Sequence, residues 1–136
     1  MNKYALVTGA SSGIGKACAL ALLHEGWHVA MVGRRQDALE AAAQEAHTDR
    51  AVPIVADVSN EADVQRLFDR VTQSFGRLDL LFNNAGVSLP YTLPGDMSGE
   101  DWRRAVDINL NGAFYCLSHA FKMMQTQSPQ GGRIIN

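Results

Sequence analysis

Short apolar runs alternate with helix-length segments from one end of the chain to the other, and few folds accept that alternation. Residues 5–7, 29–32, 52–58 and 78–82 read as strands, and residues 133–135 begin a fifth. Between the first two, Ile14, Ala17, Cys18, Ala21 and Leu22 recur at helical spacing, with Gly26 as a stop. Residues 37–47 carry Leu39, Ala42, Ala43 and Ala46 on one face. Ser59 or Asn60 can cap a helix with the stripe Val64, Leu67, Phe68, Val71 and Phe75, closed by Gly76. A loop with Pro90, Pro94 and Gly95 leads to Ser98-Gly99-Glu100-Asp101, a serine cap with an acid three residues on. A long helix follows, with the stripe Trp102, Val106, Leu110, Phe114, Leu117 and Phe121, ended by Pro129, Gly131 and Gly132.

Strands that are apolar throughout need cover on both faces, and strands separated by helices pair in parallel through right-handed crossovers. The expectation is therefore an α/β fold, a doubly wound parallel sheet of the Rossmann type, incomplete after the fifth strand. No linker, repeat or low-complexity segment divides the chain, so residues 1–136 read as a single dinucleotide-binding domain. A strand that stops at its third residue normally leads to further strands covering its edge, and this reads as C-terminal truncation.

The first strand runs into Thr8-Gly9-Ala10-Ser11-Ser12-Gly13-Ile14-Gly15 and then directly into a helix. A helix start leaves backbone N–H groups unpaired and carries partial positive charge, so it can hold a phosphate that the chain approaches closely. Glycines at 9, 13 and 15 permit a tight turn, a bare patch for pyrophosphate, and close packing of helix on strand. The spacing G-x-x-x-G-x-G departs from the commoner G-x-G-x-x-G.

Composition narrows the partners. With 12 basic and 14 acidic side chains and a net charge of −2, the chain has no basic excess for a nucleic-acid backbone or an anionic membrane. Apolar stretches fall well short of the ~20 residues of a membrane span, and too few residues precede the first strand for a signal peptide, so a cytoplasmic protein is expected. Cys18 and Cys116 lie in helical apolar patterns and read as two buried reduced thiols, with neither a disulfide nor a metal expected. His24, His28, His47 and His119 stand singly and read as helix-end or surface residues.

Taken together, the motifs resemble the classical short-chain dehydrogenase/reductase family. Residues 8–15 look like its T-G-x-x-x-G-x-G cofactor turn, Asp57-Val58 like its adenine-side pair, Asn83-Asn84-Ala85-Gly86 like its N-N-A-G, and Asp107-Ile108-Asn109-Leu110 like the segment bearing its catalytic asparagine. The resemblance covers the chain and implies hydride transfer between a nicotinamide cofactor and a small-molecule alcohol or carbonyl. It further implies a homodimeric or homotetrameric parent and leaves the substrate unnamed.

Each motif has its own physical content. Gly9, Ser11, Ser12, Gly13, Ile14 and Gly15 are the phosphate turn. Asp57 ends the third strand on the ligand-binding edge, where its carboxylate can accept the adenine amino group with help from the Val58 backbone; it can equally serve as a helix cap. Asn84, Ala85 and Gly86 are assigned to the cofactor and Asn83 to the fold, though the two asparagines can exchange roles. Asn109 falls on the apolar stripe of its helix, so its amide needs partners inside the domain, an unpaired one costing ~1–3 kcal/mol. The resemblance gives it a water that passes protons to a catalytic lysine. A structural tie from helix to strand is the other reading.

An NAD site places a carboxylate about 20 residues after the glycine turn to hold the ribose 2′-OH. Here that place holds Gly33, followed by Arg34 and Arg35. Loss of the carboxylate and gain of a guanidinium favour NADP(H) over NAD(H) by about 10- to 100-fold. Both arginines precede a helix start, where a cation is unfavourable by ~0.3–1 kcal/mol, which makes an anionic partner more plausible. Ser12 stands where many NADP-preferring relatives carry a second base.

The family's catalytic serine and Tyr-x-x-x-Lys fall beyond residue 136, and none of Tyr4, Tyr91 and Tyr115 has Lys four residues on. Two readings stay open: an inactive N-terminal portion of an oxidoreductase, which the motifs favour, and a non-catalytic dinucleotide-binding sensor or interaction module.

Overall fold

The computed structural model describes residues 1–136. Strands β1 (Tyr4–Thr8), β2 (His28–Gly33), β3 (Ala51–Val55), β4 (Leu80–Phe82) and β5 (Arg133–Ile135) form one sheet in the order β3-β2-β1-β4-β5. Every neighbouring pair is parallel, with Leu6 of β1 opposite Ala30 and Leu81. The chain winds outward from β1 to β3, then crosses back to place β4 on the other side of β1. That reversal opens a crevice at the carboxyl ends of β1 and β4.

Side chains of a strand alternate between faces, and the core divides accordingly. Ala5, Val7, Val29 and Met31 pack under α1 (Gly13–His24) and α2 (Gln36–Gln44), whose Ala19, Leu23, Leu39 and Ala42 complete that layer. Leu6, Ala30, Val32 and Leu81 pack under α3 (Glu61–Phe75) and α5 (Ala113–Thr126). Asn60 provides the cap of α3, its Oδ1 accepting from the Asp63 N–H at 3.1 Å, and Gly76 ends that helix at φ 71°. Ser98 caps α4 (Gly99–Val106) in the same way, at 3.0 Å from the Asp101 N–H. At the opposite edge of the sheet, the buried Gln127 carboxamide pairs with both the N–H and the C=O of Leu78, each at 2.9 Å, and so pins the end of α5 to the approach of β4.

Several expectations are corrected. The third strand stops at Val55, leaving residues 56–58 as a turn, and α2 spans Gln36–Gln44 rather than 37–47. β3 is an edge strand, half exposed rather than covered throughout, and Pro53 sits on that edge where its missing donor is tolerated. In α1 the buried face is Gly15, Ala19 and Leu23, whereas Ile14, Ala17 and Ala21 are exposed. An alanine-rich helix offers little contrast between its faces, so its stripe is read one residue off.

The long helix is corrected more deeply. Between α4 and α5 the backbone widens into a π-helical segment, Asp107–Gly112. The face against the sheet is Ala105, Ile108, Gly112, Cys116, Ala120 and Met124, while Trp102, Leu110, Phe114 and Phe121 are 57%, 64%, 61% and 59% exposed. Apart from Ile108 and Met124, the inward residues are small, and the large aromatics face out.

Cys116 is fully buried, and burial pushes its thiol up to about 12, but Cys18 is only half-buried on a helix of the opposite face. His24 and His47 are exposed, as read; His119 instead lies mid-helix against Phe68, with ring centroids 5.2 Å apart, and His28 stacks on Tyr4 at 5.1 Å. No helix is long and apolar enough to cross a membrane.

Candidate functional site

Two turns meet where β1 and β4 end, and Thr8 joins them. Its buried hydroxyl accepts from the backbone N–H groups of Asn84 and Ala85, both at 3.0 Å, and donates to the Phe82 carbonyl at 3.4 Å. Asn84 answers through Nδ2, which donates to the carbonyls of Thr8 at 3.1 Å and Gly9 at 3.3 Å. Gly15 lies directly over this junction. A Cβ there would collide with the Gly9 carbonyl and with Asn84 Nδ2, so only glycine lets α1 start this close to the strand. The side chain of Ser12, at the N-cap, makes no cap hydrogen bond, which leaves the first-turn amides of α1 without a side-chain acceptor.

A cleft of about 430 Å³ opens along this edge. The glycine turn contributes Gly9, Ser11 and Ser12; the end of β2 contributes Gly33, Arg34 and Arg35; the turn after β3 contributes Ala56, Asp57 and Val58; and the turn after β4 contributes Asn84, Ala85, Gly86 and Val87. Val32 and Ile108 complete the wall. Most of the candidate cofactor residues are thus brought to one cavity. Gly13, Ile14 and Gly15 are not among its lining: Gly13 turns the chain at φ 56°, Gly15 is packing, and Ile14 is 71% exposed. Val32, Ala56, Val87 and Ile108 were not singled out from the sequence. They are apolar wall residues without chemistry of their own; Val32, Ala56 and Val87 lie at or just after strand ends, and Ile108 lies in the π-helical segment.

The charged groups of the cleft are Arg34, Arg35 and Asp57. Both arginines are exposed and form no ion pair. Asp57 is not the cap of α3, since Asn60 holds that place; its Oδ1 accepts from the Ser59 N–H at 3.0 Å and the Ser59 hydroxyl at 2.7 Å. These bonds fix the carboxyl group and leave Oδ2 without a protein partner. Asn83 Nδ2 donates to the Ala113 carbonyl at 3.1 Å and to Asn136 Oδ1 at 2.8 Å, tying β4 to α5 and the end of β5.

Asn109 is exposed, contrary to the reading that put it on a buried stripe. The stripe that carries Asn109 faces away from the sheet already at Trp102, before the π-helical segment begins. Its amide is nevertheless engaged at both ends: Oδ1 accepts from the Val87 N–H at 2.8 Å and Nδ2 donates to the Val87 carbonyl at 2.9 Å. The helix therefore grips the wall of the cleft through one side chain.

The family model described as short chain dehydrogenase matches residues 3–136. A 3beta-hydroxysteroid dehydrogenase of Mediterraneibacter gnavus is 38% identical over 137 residues, covering 99% of this chain and 49% of the relative. A 3-oxoacyl-[acyl-carrier-protein] reductase of Synechocystis is 42% identical over 135 residues, covering 97% of this chain and 53% of the relative. The solved structure of a short-chain type dehydrogenase/reductase from Mycobacterium ulcerans superposes with a TM-score of 0.90 at 36% identity, over 97% of this chain and 49% of that one. The chain spans about half the length of the curated relatives it matches.

Proposed function

The chain belongs to the short-chain dehydrogenase family, oxidoreductases that use a nicotinamide cofactor, and on that premise we propose that its cleft binds NADP(H) in preference to NAD(H). The observation that carries this reading is the end of β2, where Gly33 stands in place of a carboxylate and two unpaired arginines border the cleft. A 2′-phosphate meets no repulsion there and gains a charge-assisted partner.

The rest of the cleft fits the same ligand. Gly9, Ser11, Ser12 and the uncapped start of α1, with Gly13, Ile14 and Gly15, suit the pyrophosphate. Asp57 Oδ2, held by the Ser59 contacts on its twin oxygen, suits the adenine amino group beside Val58. Asn84, Ala85 and Gly86 form the wall beyond, steadied by Thr8 and, through Val87, by Asn109, at the position of the family's catalytic asparagine. The bound cofactor supplies or accepts a hydride. No tyrosine of these 136 residues has Lys four positions on, and none of them is assigned as proton donor for the developing alkoxide.

A hydroxysteroid dehydrogenase and an oxoacyl reductase among the relatives support an alcohol/carbonyl pair as the substrate class of the whole protein. The apolar stripe of Trp102, Leu110, Phe114 and Phe121 supports a homodimer or homotetramer that covers it. Fluorescence titration of the chain with NADPH and NADH tests the cofactor reading. NADPH is expected to bind about 10- to 100-fold tighter. Equal affinities overturn the NADP(H) preference, and no binding of either overturns the cofactor site itself.

A further inference from the structure

The π-helical segment touches both walls of the cleft. On one wall Asn109 grips Val87. On the other, Gly112 presses against Val58: a Cβ at Gly112 would stand 2.8 Å from Val58 Cγ2, 2.9 Å from the Val58 carbonyl oxygen and 3.1 Å from its carbon. Gly112 has ordinary helical dihedrals, φ −62° and ψ −42°, so its backbone makes no demand for glycine. Glycine is otherwise unfavourable inside a helix, and what it supplies here is proximity.

Because two of the three obstacles are backbone atoms, no rotamer change at Val58 makes room for a side chain at 112. One of the two elements must move. The helix is pinned by Asn83, which donates to the Ala113 carbonyl, and by Cys116 and Ala120, both fully buried against the sheet. The turn carrying Asp57 and Val58 is the part that gives. Both residues line the cleft, and Gly112 itself does not.

We propose that Gly112 is a positioning residue for the adenine end of the cofactor. It lets the π-helical segment stand against the Val58 carbonyl, and so sets the depth at which Asp57 and Val58 meet the base. The same short segment carries the place of that turn to Asn109 and the Val87 wall. This inference rests on the dinucleotide reading above and adds to it a residue with no ligand contact.

The test uses ADP-ribose and its hypoxanthine counterpart, which lacks the 6-amino group, titrated calorimetrically into the chain. Gly112→Ala is expected to weaken ADP-ribose about tenfold, the cost of one hydrogen bond, while the hypoxanthine nucleotide changes less than about twofold. The preference for adenine then collapses, which general destabilisation does not produce. An equal loss for both bases, or no loss, overturns the proposal. Should Gly112→Ala not fold, the wild-type chain carries the test through amide hydrogen exchange. Saturation with ADP-ribose is expected to slow exchange at residues 111–113, none of which lines the cleft. Protection at Val58 with none at 111–113 overturns it. A wild-type chain that binds neither nucleotide overturns the dinucleotide reading and this inference together; one that binds ADP-ribose while the variant binds it equally well removes the inference alone.

Discussion

Helices α3 and α5 lie on the same face of the sheet, and an apolar stripe can be read in the sequence of each. In α3 the stripe is the core: Val64, Leu67, Phe68 and Val71 are all buried. In the α4–π–α5 rod Trp102, Leu110, Phe114 and Phe121 point away, and Ala105, Ile108, Gly112, Cys116, Ala120 and Met124 meet the sheet. Periodicity detects that a helix has an apolar face without saying which surface covers it. Side-chain size carries the missing information. Where a helix approaches the backbone as closely as Gly112 approaches Val58, most inner positions are small, and the stripe of Trp102, Leu110, Phe114 and Phe121 is left for another surface.

The contrast can be broken at each helix in turn. Leu67→Ala in α3 removes a fully packed side chain, 1% exposed, and is expected to cost ~2–5 kcal/mol in urea unfolding. A cost below ~1 kcal/mol would show that α3 is not the core helix the packing describes. Next in size, Ala120→Leu in α5 adds bulk at a position with no exposed surface, and an overpacking loss of ~1–3 kcal/mol is expected by the same measurement. A stabilised variant would mean that the inner face tolerates large residues and that size does not orient this rod. Smallest of all, Phe114→Ser on the outer face should shift monomer stability by no more than ~0.5 kcal/mol. Sedimentation velocity reads its other consequence: the oligomer proposed for this face should dissociate. Unchanged association would place the interface elsewhere.

Much of the site could be read before the fold. Gly9, Arg34, Asp57 and Asn84 stand at strand ends, and strand ends on the carboxyl side of a parallel sheet converge whatever the side chains between them. What could not be read are contacts that depend on distance. Thr8 looks like one more residue of the glycine motif, yet its hydroxyl locks two turns 76 positions apart. Asn109 lies on the outer face with Trp102 and Leu110, and period alone does not say which face of a helix meets the sheet. Asp57 offered two roles, and only the position of Asn60 removed helix capping from them.

The sequence by itself determined the alternation of strand and helix, hence a parallel doubly wound sheet, and the order in which the cleft-lining turns reach its edge. These follow from local period and from the handedness of crossovers, which short segments encode. Tertiary structure decided which face of the long helix meets the sheet, how Asn109 spends its amide, and why residue 112 carries no side chain. Those outcomes turn on approaches of about 3 Å between elements far apart in the chain, and no local pattern records how closely two such elements pack.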